Sequence, residues 1–126
     1  MKIYISADIE GATGVTGWKD VATGTSSHKR FRKLLTRDVN AAITGALKAC
    51  ATEIIVNETH ATKNKILLEE LHHKAKLITG PTRFLGMMEG IDETFDAAFF
   101  IGYHTKAGMQ GDNFESYTVW EARIRY

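Results

Sequence analysis

From Lys2 to Gly11 the chain reads KIYISADIEG, with Ile3 and Ile5 alternating with Tyr4 and Ser6 ahead of Asp8, Ile9 and Glu10. This period-two alternation predicts a strand that delivers two carboxylates where the chain must turn. If the extended backbone persists through Glu10, Asp8 and Glu10 share a face, as two anionic oxygen ligands or an acid/base pair require. Residues 12–26 are rich in Gly and Thr and carry Trp18. A stretch of that kind predicts either a surface loop or a lid over Asp8 and Glu10.

The period then changes. Phe31, Leu34, Leu35, Val39, Ala42, Ile43, Ala46, Leu47 and Cys50 recur at three- and four-residue spacing. They predict a helix over 28–50, capped by Ser26 or Ser27, with Cys50 on its buried stripe. Lys29, Arg30, Arg32, Lys33 and Arg37 fall mostly off the stripe and read as a solvated face. Glu53 to Val56 is a compact apolar run, hence a second strand, leading into Asn57, Glu58, Thr59 and His60. A shorter helix is expected over 64–73, with Ile66, Leu67, Leu68 and Leu71 inward and the pair His72 and His73 at the surface. Ala75 to Thr79 predicts a third strand, residues 84–89 a helical or turn segment with Met87 and Met88 in the core, and Phe95 to Ile101 a fourth strand ending at Gly102, Tyr103 and His104. Residues 115–126, of mixed character, predict a final edge strand.

Strands alternating with helices imply right-handed crossovers and a mainly parallel sheet, so the fold class is α/β, with an antiparallel edge strand at the C-terminus as an option. Ligands of such sheets gather beyond the carboxyl ends of the strands. Asp8 and Glu10, His60, and His104 stand at three of those ends. Two carboxylates and two imidazoles suit a borderline-soft divalent cation such as zinc, and a metal so held supports hydrolysis. Asn57 and Glu58 are placed to orient His60. Magnesium on Asp8 and Glu10 in a flavodoxin-like regulatory domain is the weaker reading, because two imidazoles do not suit that hard ion.

Composition narrows the classes further. A chain of 126 residues, 44% apolar and 25% charged, makes one globular domain, 1–126. Sixteen basic and fifteen acidic residues give a net charge of +1, which offers no electrostatic argument for nucleic acid or an anionic membrane. The single cysteine, Cys50, fits a reducing compartment, and no secretory signal or membrane-length segment is visible, so a cytoplasmic location is expected.

Three motifs carry a resemblance. SADIEG at Ser6 to Gly11, VNETH at Val56 to His60, and GYHT at Gly102 to Thr105 closely resemble those of the zinc D-aminopeptidase family of the DppA type. The likeness runs from Met1 to about Gly108, and residues 109–126 diverge. It implies an α/β/α three-layer core, a two-zinc centre and a ring-like homo-oligomer acting on short peptides with an N-terminal D-residue. Carried across by motif, it makes Asp8 the bridging ligand, puts Glu10 and His60 on one ion and His104 on the other. The family's catalytic histidine falls about eleven residues beyond His104, where this chain has Glu115, or Tyr117 if two residues are inserted. A further zinc-binding glutamate lies beyond that in the family; Glu121 is not supported as its replacement by spacing. The resemblance therefore predicts a zinc hydrolase in which one ion is held better than the other, and the alternative is a noncatalytic metal- or ligand-binding subunit.

Overall fold

The structure, a computed structural model, describes residues 1–81 and 84–104 and the backbone of Trp120–Ala122. The described elements are β1 (Lys2–Ala7), α1 (Trp18–Val21), α2 (Ser26–Lys48), β2 (Glu53–Glu58), β3 (Ala75–Ile78), a 3₁₀ turn (Gly86–Met88), β4 (Ala97–Ile101) and β5 (Trp120–Ala122). They form one sheet in the order β3-β2-β1-β4-β5, in which β5 alone runs antiparallel. The α/β class, the parallel sheet and the antiparallel edge all follow the expectation from sequence. Of the expected strand 115–126, all but the backbone of β5 lies outside the described residues, as do Glu115, Tyr117 and the side chain of Glu121.

The central strand β1 is buried on both faces because the two parities of its residues do different work. Ile3, Ile5 and Ala7, with Ile54 and Val56 of β2, face the stripe of α2 formed by Phe31, Leu35, Val39, Ile43 and Ala46. Leu35, Val39 and Ile43 are 0% exposed, and burial of each contributes roughly 1.5–3 kcal/mol. On the opposite face Tyr4 packs edge-on against Phe95, ring centroids 5.3 Å apart, with Ala98, Met88 and Ile91 around it. Here the covering layer is the 3₁₀ turn and its flanking loops. Sheet side chains hold that layer by its carbonyls: Tyr4 Oη donates to Glu89 O, and Asn57 Nδ2 and Ser6 Oγ both donate to Met87 O, each at 2.8 Å.

Local chemistry moves several expected boundaries. The cap of α2 is Thr25, whose hydroxyl accepts from His28 N at 3.0 Å, so the helix begins at Ser26. At its other end Cys50 has φ 65°, and the bonds Cys50 N to Leu47 O and Ala51 N to Ala46 O close a Schellman turn. Cys50 is therefore exposed, and not on the buried stripe as its spacing suggests. Residues 64–73 form turns instead of a helix because their backbone groups bond to other elements. Glu58 accepts from the N–H groups of Lys65 and Ile66, Thr36 Oγ1 from Leu67 N, and Asn40 Oδ1 from His72 N, while Asn40 Nδ2 donates to Glu70 O. His72, half-buried, stacks on the exposed His73 with centroids 4.8 Å apart. Residues 12–17 lie against α2, with Asp38 accepting from both Thr13 N and Thr13 Oγ1 at 2.9 Å. No helix among the described residues is long and apolar enough to cross a membrane.

Candidate metal centre

The site is built where β1, β2 and β4 end side by side. Beyond the ladder, Asp8 N donates to Ile101 O at 2.8 Å and Gly11 N to Gly102 O at 2.7 Å, pulling the turn after β1 onto the exit of β4. Only glycine fits at this crossing. A Cβ on Gly11 would lie 2.4 Å from Tyr103 O, and one on Gly102, where φ is +68°, would lie 2.0 Å from Asp8 O. The two motifs that end in Asp8–Glu10 and His104 are thereby forced together by their own glycines.

All four residues singled out from sequence meet here. Asp8 and Glu10 are buried, at 3% and 5% exposure. Ligand atoms of Asp8, Glu10 and His104 lie within 4.8 Å of one another. His60 Nδ1 is 2.8 Å from the Glu10 carboxylate and 3.3 Å from Asp8 Oδ1. The chain after Glu58 is drawn into position by Thr59, whose N–H and hydroxyl both donate to Ala7 O at 2.9 Å. Asn57 and Glu58 do not orient His60, contrary to the expectation from their proximity in sequence. Asn57 holds the Met87 carbonyl, and Glu58, 0% exposed, is occupied by the Lys65 and Ile66 amides.

Two buried carboxylates side by side repel unless a cation lies between them or one of them holds a proton. Burial pushes Asp8 above its ordinary range, and the neighbouring Glu10 adds to that. Burial works against the charged form of Glu10 too, but hydrogen bonds from His60 and Asp8 outweigh it and hold Glu10 at about 2. For His60, burial would lower the pKa, yet the hydrogen bonds to Asp8 and Glu10 raise it to about 9. An imidazolium proton thus supplies the positive charge that this donor set calls for. The two carboxylates and the His104 imidazole, gathered within 4.8 Å of one another with His60 against the carboxylates, fit zinc by donor type.

The residues that sequence reasoning missed are the hydroxyls just behind the ligating positions. Ser6, Thr59 and Tyr103 each stand within two residues of Asp8, His60 and His104, and Ser6 Oγ is 2.6 Å from the Tyr103 hydroxyl. Their place in the motifs SADIEG, VNETH and GYHT was the available signal.

The sequence and fold have counterparts among known proteins. A family model described as D-aminopeptidase matches residues 1–125. A D-aminopeptidase of Bacillus subtilis strain 168 is 38% identical over 111 residues, which cover 88% of this chain and 40% of that protein. The solved structure of the Zn-dependent D-aminopeptidase DppA from Bacillus subtilis, a self-compartmentalizing protease, superimposes with a TM-score of 0.84 at 38% identity over 86% of this chain and 40% of that one. The present chain thus spans about 40% of the length of the relatives it matches. A match of fold, sequence and family model, the last over residues 1–125, assigns the chain to the D-aminopeptidase family.

Proposed function

We propose that the protein binds zinc through Asp8, Glu10, His60 and His104 and hydrolyses short peptides that carry an N-terminal D-residue. The observation that carries this reading is the convergence of the Asp8, Glu10 and His104 ligand atoms within 4.8 Å, with the His60 ring against both carboxylates. Zinc at such a site supplies Lewis-acid polarisation of a carbonyl and a bound water acidic enough to attack it at neutral pH. Asp8 and Glu10 would supply the anionic ligands to such an ion, and His60 and His104 the neutral ones. The burial of both carboxylates keeps competing water away from the charges that do the binding. Assembly into a homo-oligomer belongs to the same reading and is supported by the self-compartmentalizing relative.

A second reading rests on a specific feature of the chain: Glu115, or Tyr117 if two residues are inserted, stands where the resemblance places the family's catalytic histidine. On that reading the protein keeps the metal centre and binds ligand without turnover. The two are separated by incubating zinc-loaded protein with D-alanyl and L-alanyl dipeptides. Hydrolysis of the D-isomer ahead of the L-isomer, lost in chelator and restored by zinc, is the expected result. Zinc bound at full occupancy with no cleavage of either peptide favours the binding subunit, and equal rates on both isomers contradict the D-specific assignment.

A further inference from the structure

We propose that Tyr103 is the positioning residue of the metal centre, its hydroxyl setting the spacing of the three strand ends that carry Asp8, His60 and His104. The inference rests on the metal-binding reading above and adds to it a residue that contributes no ligand.

The directions of the hydrogen bonds define what the hydroxyl does. Met87 O can only accept, so the Ser6 hydrogen is committed to it at 2.8 Å. Ala7 O can only accept, so the Thr59 hydrogen is committed there at 2.9 Å. Ser6 Oγ, 2.6 Å from Tyr103 Oη, is therefore left to accept the Tyr103 hydrogen, and the Thr59 side chain stands beside the same hydroxyl. The one hydrogen of Tyr103 points back into this cluster and is not free to serve a reacting group. Its role is mechanical.

That cluster joins all three motifs. Ser6 lies two residues before Asp8 on β1, Thr59 one before His60 after β2, and Tyr103 one before His104 after β4. The Tyr103 ring is fixed as well, packed edge-on against Phe100 at 5.3 Å and 88°. On its other side its own carbonyl closes over Gly11, with no room for a Cβ. A rigid ring held at its root and its tip spans β1, β2 and β4 beyond the point where their ladder ends. Such outer partners govern how well ligands are presented to a metal.

A comparison of two tyrosines tests this. Tyr103→Phe and Tyr4→Phe each delete one hydroxyl on the same face of the sheet, but the Tyr4 hydroxyl bonds the Glu89 carbonyl and the Asn57 side chain, neither of which adjoins a ligating residue. Zinc affinity is measured by competition with a chromophoric chelator, and the ligand field by the visible spectrum of the cobalt-loaded protein. Tyr103→Phe is expected to weaken zinc binding about 10–100-fold and to shift the cobalt spectrum. Tyr4→Phe is expected to lower the melting temperature at least as much while leaving both metal readouts at wild-type values. Ser6→Ala combined with Tyr103→Phe should weaken zinc no further than Tyr103→Phe alone, because both remove the same link. Wild-type zinc affinity in Tyr103→Phe, or an equal loss in Tyr4→Phe, overturns the proposal and leaves the metal site standing. Failure of the wild-type protein to take up either ion overturns both.

Discussion

Gly102→Ala is expected to cost about 3–5 kcal/mol, enough to unfold much of the population of a domain whose total stability is on the order of 5–15 kcal/mol. The added methyl carbon would stand 2.0 Å from Asp8 O, 3.0 Å from Asp8 C and 3.2 Å from Ala12 N. Every one of these atoms is backbone, so no rotamer change relieves the overlap. The backbone cannot slide aside either, because Asp8 N to Ile101 O and Gly11 N to Gly102 O tie the two segments on both sides of the crossing. The positive φ of +68° adds a further penalty of about 1 kcal/mol for any residue with a Cβ. What survives folded should bind zinc poorly, since the same contact brings Asp8 and His104 together. Gly45→Ala is the control: it lies within α2 with nothing within 4 Å of the new methyl, and should stabilise by up to about 1 kcal/mol. Urea denaturation of the pair decides the matter, and a Gly102→Ala variant within 1 kcal/mol of wild type contradicts the packing account.

The second large effect is an exchange of proton for metal at His60. With no ion bound, His60 holds its proton up to about pH 9, because Asp8 and Glu10 stabilise the imidazolium. Its ordinary value is 6.5, so the stabilisation it brings is complete below pH 6.5 and is lost as the pH rises through about 9. Glu10 has the opposite sign: its contribution is complete above 4.5 and is lost as the pH falls toward about 2. The metal-free protein should therefore be most stable between these limits, with the alkaline limb assigned to His60. Zinc requires a neutral imidazole, so binding at pH 8 must expel the His60 proton. Calorimetry in buffers of different ionisation enthalpy should detect about one proton released per zinc at the His60 position. His60→Ala should abolish that release, flatten the alkaline limb of stability and weaken zinc binding by at least 100-fold. Zinc uptake with no proton release, or undiminished in His60→Ala, excludes His60 from the centre.

The parts of this molecule that were legible in its sequence are those fixed by periodicity and by clustering of chemical types. Alternation in β1, the three- and four-residue stripe of α2, and polar residues at strand ends are local patterns, and they placed Asp8, Glu10, His60 and His104 at one edge of a parallel sheet. What was not legible depends on partners distant in the chain. Residues 64–73 have the composition of a helix, but Glu58, Thr36 and Asn40 reach across from other elements and take their backbone groups. Cys50 continues the apolar spacing of α2, yet the Schellman closure turns it outward before that spacing can act. Ser6, Thr59 and Tyr103 are unremarkable singly, and acquire a role only when three strand ends lie side by side. Asn57 and Glu58 mislead in the opposite way, since despite their closeness to His60 in sequence they are taken by the Met87 carbonyl and by the Lys65 and Ile66 amides.

Anomalous scattering at the zinc edge from crystals of the zinc-loaded protein tests the central claim most directly. The account predicts a peak between the Asp8 and Glu10 carboxylates, within about 2.0–2.2 Å of their oxygens and of ring nitrogens of His60 or His104. No peak at the ends of β1, β2 and β4, or one that engages none of these four residues, would contradict it.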